Sequence, residues 1–274
     1  MIEWLTDDTT RELIDRSTLM LALVMARVAP IVELIPFLGG RATPRTVKTA
    51  LSLALVVLLF PVLWTPGLLA TEISAPQFAL LAAKEVLVGM TIGFVAALVF
   101  EAVRMAGQII DAARGQTMAN VMVPQLPERV SVTSEFLYLF AVALFFTFDG
   151  HHVFVGALAE SYVAVPLATM PTWTATTGAE LAFTTARLTA DAIALAITFA
   201  FPVVGSILLA DLVLAMINRS APQVNVFFLG MPLKAALGTA VVLLGLGVFA
   251  DEFVTHALSG LTALKDLIHL SRGS

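Results

Sequence analysis

The stretch from Phe78 to Phe100 reads FALLAAKEVLVGMTIGFVAALVF. It exceeds the ~20 residues that an α-helix needs to cross the hydrocarbon core of a bilayer. Within it Gly89 and Gly93 stand four apart, the small-xxx-small spacing at which helix backbones approach closely. The rest of the chain has the same character. Hydrophobic residues make up 59% of 274 positions, charged residues only 13%, and the mean hydropathy is +0.94. A soluble core cannot hide that much apolar surface, because soluble domains are roughly half apolar. The chain therefore reads as an all-α, polytopic integral membrane protein, a single membrane domain over residues 1–274.

Working outward, the apolar segments are irregular. Ser17 to Leu38 carries Arg27, Pro30, Glu33 and Pro36, and each proline removes a helix hydrogen bond, so a bent or broken helix is expected. Ala50 to Ala70 contains Pro61 and Pro66. The block from Phe136 to Phe148 is interrupted by Asp149-Gly-His-His152 and resumes to Pro166, as a helical hairpin would. Leu181 to Ile217 is too long for one simple span and holds Pro202 and Gly205, which predicts two helices or one kinked helix. Val226 to Ala250 leads into an amphipathic tail, residues 251–274.

Several function classes are excluded or lose support. The formal net charge of -5 comes without a dense basic run, which argues against nucleic acid. No cysteine is present, so disulfides, thiolate metal sites and thiol catalysis are absent. The acidic start, Met1-Ile-Glu-Trp-Leu-Thr-Asp-Asp, lacks the basic segment of a cleavable signal, and the first apolar segment is expected to be retained. Arg41, Arg45 and Lys48 form an acid-free basic cluster that favours the cytoplasmic side. No nucleotide loop, nucleophile elbow or zincin helix occurs, so no catalytic residue, cofactor or enzyme activity is assigned. Adjacent histidines diverge on a helix or turn, and His151-His152 is accordingly assigned no metal.

Ionisable groups at membrane depth cost about 2.5 to 3.5 kcal/mol each on insertion scales and normally face protein or water. Glu101, Arg104, Gln108 and Asp111 are spaced three, four and three apart, placing all four on one helix face. That stripe faces another subunit or a pore, or else Glu101 pairs with Arg104 and Asp111 with Arg114 within the helix. Arg187 and Asp191, at i,i+4, read as an intrahelical pair. Asp211 and Asn218 share a face without a sequence-local partner and are candidates for contact with another subunit.

Two loops stand out. Asp111-Ala-Ala-Arg-Gly-Gln-Thr-Met-Ala-Asn-Val-Met-Val-Pro-Gln125 is rich in small residues, with Met118 and Met122 one helical turn apart. Flexible thioethers suit a deformable seal, although core packing explains most such pairs. In Asn218-Arg-Ser-Ala-Pro-Gln-Val-Asn-Val-Phe-Phe-Leu-Gly-Met-Pro-Leu-Lys234, Pro222 and Pro232 limit helix continuation and bracket Val224 to Leu229, while Asn218 and Asn225 can cap helix ends. This segment reads as an assembly turn comprising Pro222, Asn225, Pro232 and Lys234.

With those loops in view, the chain resembles the export-gate family of type III secretion, whose branches are the flagellar FliR and injectisome SctT (YscT/SpaR) proteins. Arg27 with Pro36-Phe-Leu-Gly39 and Pro44-Arg45 is similar to the family's N-terminal signature. Phe148-Asp-Gly-His151 with Ser161-Tyr162 and Pro166 is similar to its mid-chain segment, and Asn218 to Lys234 is the strongest match. Asp111 with Arg114-Gly115, and Met231-Pro-Leu-Lys234, favour the injectisome branch, while Phe148 to His151 is closer to the flagellar one. The resemblance implies bent helical hairpins, an SctR (FliP)-like part fused to an SctS (FliQ)-like part, in the bacterial inner membrane. It implies a gate shared with SctR- and SctS-like subunits, near an SctU/FlhB-like switch protein and an SctV/FlhA-like export protein, that passes inner rod and other unfolded proteins. Residues 114–127 would be the plug, with Arg114, Gly115, Gln116, Met118, Ala119, Met122 and Pro124 in it. The alternatives are a small-solute secondary transporter, which shares broken helices and intramembrane charges, and a membrane-embedded enzyme.

Overall fold

A computed structural model describes residues 8–38, 43–63, 74–115, 131–170, 175–223 and 225–270. Along the described residues run α1 (Asp8–Leu34), a 3-10 turn (Pro36–Leu38), α2 (Arg45–Leu63), α3 (Ala75–Ala113), α4 (Val132–Thr147), α5 (Gly150–Ala164), α6 (Ala175–Ser220) and α7 (Val226–Leu270). No strand occurs among them. All-helical structure is what apolar surroundings impose, since an α-helix satisfies its backbone hydrogen bonds within one segment.

The helix ends are written in local chemistry. Gln77 reaches back to the start of α3, its Oε1 accepting from the Ser74 backbone N–H and from Ser74 Oγ, each at 3.0 Å, which is the side-chain half of a capping box. Ser131 caps α4 by accepting from the Ser134 N–H at 3.2 Å. Between α4 and α5 the chain breaks at Phe148 and Asp149, and Asp149 adopts a left-handed φ of 59° that a helix cannot include.

Prolines interrupt less than their positions suggest. α1 stops before Pro36, whose ring disfavours helix at Ile35, but runs through Pro30. The region around Pro202 is one helix of 46 residues, not two, and Pro232 lies inside α7 instead of ending it. Each internal proline forfeits one backbone bond, whereas breaking the helix in apolar surroundings leaves several groups unsatisfied. The tail from Asp251 is not a separate element either, because α7 continues to Leu270.

The chain divides into two compact units. In the first (Met1–Ala97, His151–Ala186, Gly260–Ser274), the core centres on Leu23, Val24, Val28 and Ile31 of α1. The glycine spacing of the opening stretch does what it predicts. A Cβ at Gly89 would collide with the Arg27 carbonyl oxygen, and one at Gly93 would sit 3.2 Å from Ile31 Cα, so α1 and α3 pack backbone to backbone. The second unit (Leu98–Gly150, Arg187–Ser259) is built on aromatic rings, with Phe100 5.4 Å from Phe145 and Phe199 4.6 Å from Phe249.

Among the described residues four helices, α1, α3, α6 and α7, are long and apolar enough to cross a membrane. At 1.5 Å per residue, the 46 residues of α6 extend about 69 Å and the 45 of α7 about 68 Å, roughly twice the thickness of a hydrocarbon core. Their outward side chains are large and apolar, Phe201, Met216, Phe228 and Leu244 among them.

Candidate functional site

In the second unit a polar station ties the end of α3 to the start of α4. The first N–H groups of α4 have no partner within the helix. Asp111 supplies one: its Oδ2 accepts from the Thr133 N–H at 3.0 Å and from Ser131 Oγ at 2.6 Å. A carboxylate at a helix N-terminus is also favoured by the helix dipole. Arg114 completes the station, donating through Nη1 to Thr133 Oγ1 at 2.9 Å and lying 3.5 Å from Asp111 Oδ1. Earlier along α3, Ser134 Oγ donates to the Arg104 carbonyl at 2.9 Å, about two turns before Asp111, and Gly107, about one turn before it, leaves no room for a Cβ against the Ser134 backbone. Asp111 and Arg114 are both buried. Burial pushes the Arg114 guanidinium down from its ordinary value, opposed by Asp111, and an arginine stays protonated through such a change.

The first unit contains a second buried station. Arg27 of α1 is wholly buried; its Nε donates to Glu85 Oε2 at 2.5 Å, Nη1 to Ser161 Oγ at 3.0 Å and Nη2 to the Val165 carbonyl at 2.7 Å. Its guanidinium stacks 4.0 Å from the centre of the Tyr162 ring. Lys84 makes an ion-pair contact with Glu85 Oε1 at 2.8 Å and donates to the carbonyls of Pro166, Leu167 and Thr169 at 2.7, 3.2 and 3.0 Å. The cause is the end of α5. Pro166 has no N–H to continue that helix, so the carbonyls beyond Ala164 lack helical donors, and two cations take them. Positive charge at a helix C-terminus is favourable, and Glu85 separates the two cations.

The polar stripe of α3 is divided by the structure. Asp111 is turned inward as described and pairs with Arg114, while Gln108 is exposed and Glu101 half-buried. Arg104 does not pair with Glu101; its guanidinium lies 3.8 Å from the centre of the Tyr138 ring. Arg187 and Asp191 are exposed and form no ion pair with each other among the described residues. Asp211, without a partner in its own sequence neighbourhood, forms an ion pair with Lys234 of α7. Asn218 is exposed in the last turn of α6, and the turn after it contains Pro222. Asn225 caps α7, accepting from the Phe228 N–H at 3.4 Å. The turn is therefore shorter than the sequence implies, because Pro232 and Lys234 already belong to α7. Of the plug candidates, Arg114 and Gly115 are described, and Gln116, Met118, Ala119, Met122 and Pro124 lie outside the described residues.

His151 and His152 do not diverge. Their ring centroids are 4.1 Å apart in the first turn of α5, and with Asp149 they bring ligand atoms within 4.8 Å of one another, so these three could hold a metal ion. Sequence reasoning also missed Lys84, Glu85, Ser131, Thr133 and Tyr138. Lys84 and Glu85 had a signal, two adjacent charges inside an apolar stretch; the others are ordinary helix-start and aromatic residues with none.

The buried charges of this all-helical membrane chain join helices to one another, and the class of the protein follows from comparison. Residues 18–259 match the family described as Bacterial export proteins, family 1, and the chain belongs to that family. The flagellar biosynthetic protein FliR of Bacillus subtilis (strain 168) is 31% identical over 229 residues, 82% of this chain and 85% of that protein. The Yop proteins translocation protein T of Yersinia pestis is 27% identical over 260 residues, 94% of this chain and 96% of that protein. The secretion system apparatus protein SsaT of Salmonella typhimurium is 28% identical over 256 residues, 90% and 95% of the two chains. The chain is thus a subunit of a type III export apparatus, which displaces the solute-transporter reading. Flagellar and injectisome relatives match at similar identity, so these comparisons do not select the injectisome branch that the sequence favoured.

Proposed function

We propose that the chain is the gate subunit of that apparatus in the bacterial inner membrane, joining SctR/FliP-like and SctS/FliQ-like subunits around a closed channel, with residues 114–127 as its plug. SctU/FlhB-like and SctV/FlhA-like proteins are its further neighbours, and unfolded rod and secreted proteins are its cargo. The chain contributes passage and sealing; the driving energy comes from neighbouring components. The observation that carries this reading is the Asp111–Arg114–Ser131–Thr133 station, which fastens both flanks of residues 116–130 to one place. A segment with Met118 and Met122 between fastened ends suits a seal that yields and returns. Helices twice as long as a bilayer is thick, with large apolar side chains outward, also suit a chain covered by protein neighbours as well as lipid.

The test is ion conductance of the assembled complex reconstituted in vesicles. Met118→Ala with Met122→Ala is expected to raise the resting leak, with SctR- and SctS-like subunits still co-purifying. Unchanged permeability in an intact complex removes the sealing role.

A further inference from the structure

Arg114 sits in a notch on α7 that exists only because residue 238 is glycine. Gly238 is buried; a Cβ there would collide with Arg114 Nε and lie 3.2 Å from both its Cγ and Cζ. On the Arg114 side, Nε is buried without a hydrogen-bond acceptor, so that edge of the guanidinium packs against bare backbone while Nη1 reaches Thr133. Among the described residues Gly150 also faces side chains, the rings of Phe145 and Phe148, but two other close glycines differ in kind. Gly89 and Gly107 abut the backbone of another helix, where a Cβ would force whole helices apart. At Gly238 the group in the way is one side chain, and that side chain is half of the station that fastens α4 to α3.

We propose that Gly238 is a positioning residue for Arg114, through which the α7 helix sets the geometry of the Asp111–Arg114–Thr133 station. The functional meaning of that coupling rests on the gate reading above, since the station flanks residues 116–130; the contact itself does not. Any added volume at residue 238 displaces the guanidinium from Thr133 Oγ1, leaving the Asp111 carboxylate to hold the start of α4 alone.

Thr133 supplies a direct readout. Its N–H is among the first of α4, has no helical acceptor, and donates to Asp111 Oδ2, so its hydrogen-exchange protection reports the station and not the helix. In the full chain co-purified with its SctR- and SctS-like neighbours, Gly238→Ala is expected to lower Thr133 protection roughly tenfold, the scale of one net hydrogen bond. Gly247→Ala, on the same helix with open space around it, gains the same helix propensity and should leave Thr133 unchanged. Arg114→Ala should lower protection by a similar factor, and Gly238→Ala added to it should do nothing more, because the residue acts only through Arg114. Additive losses, or full protection in Gly238→Ala, overturn the proposal. Deleting residues 116–127 and measuring leak tests the gate separately: no leak with the exchange pattern intact sinks the gate and leaves the coupling, and the converse result does the opposite.

Discussion

Glu85 Oε2 lies 2.5 Å from Arg27 Nε, with both side chains wholly excluded from solvent, so one carboxylate joins α1 to α3. It also faces Lys84, and the three charges leave the group net positive, balanced by the carbonyls that follow α5. Such a network is specific because no member can be removed without stranding another.

Glu85→Gln should therefore be costly. Breaking one side of a buried ion pair costs about 3–5 kcal/mol, and here it leaves two buried cations facing each other. Thermal unfolding in detergent should show a large drop in midpoint. Arg27→Met combined with Glu85→Met, which removes the pair together, should lose less than Glu85→Gln alone. Equal losses would show that the charges are not coupled.

Gly89→Ala tests the close packing of α1 on α3. The new methyl meets the Arg27 carbonyl oxygen, which cannot step aside as a side chain can, so a loss of about 1–3 kcal/mol is expected from overpacking. Gly245→Ala has open space and should be neutral or mildly stabilising. Unfolding midpoints of the two variants, measured side by side, decide it; a tolerated Gly89→Ala contradicts the contact.

Asn225→Ala removes the side chain that caps α7, and a lost cap costs typically about 1 kcal/mol. If the turn between α6 and α7 also docks on a neighbouring subunit, membrane levels should stay near normal while co-purification of SctR- and SctS-like proteins falls. Normal co-purification and secretion with lowered stability would make Asn225 a cap and nothing else.

Much of this architecture was legible in the sequence because apolar length is a strong signal. The stretch around Phe78 to Phe100 could be little else than a helix in apolar surroundings, and Gly89 and Gly93 announced its close approach to another backbone. Pro232 misled, and the two-helix alternative at Pro202 fell away, because the local cost of a proline is read from the chain while the larger cost of breaking a helix in a dry environment is not; at Pro36 the first apolar segment does break. The stripe from Glu101 to Asp111 was visible as a periodicity, but a period does not say which neighbour it meets. The partners of Asp111, Ser131 and Thr133, stand across a loop in sequence. Gly238 was invisible, since a glycine in an apolar helix carries no mark of the arginine it admits.

The two helices of about 69 and 68 Å have a consequence for how the cell makes this protein. Lipid can cover only some 30 Å of each, and large apolar side chains such as Phe228 and Leu244 are exposed along α7, so part of the outward apolar surface of these helices lies beyond the reach of the hydrocarbon. Such a chain is an orphan until its neighbours arrive, exposed to membrane proteases and to aggregation. Synthesis of this subunit in excess of its neighbours is then expected to yield turnover and not more apparatus, which a pulse-chase of the chain expressed alone and with its neighbours would measure.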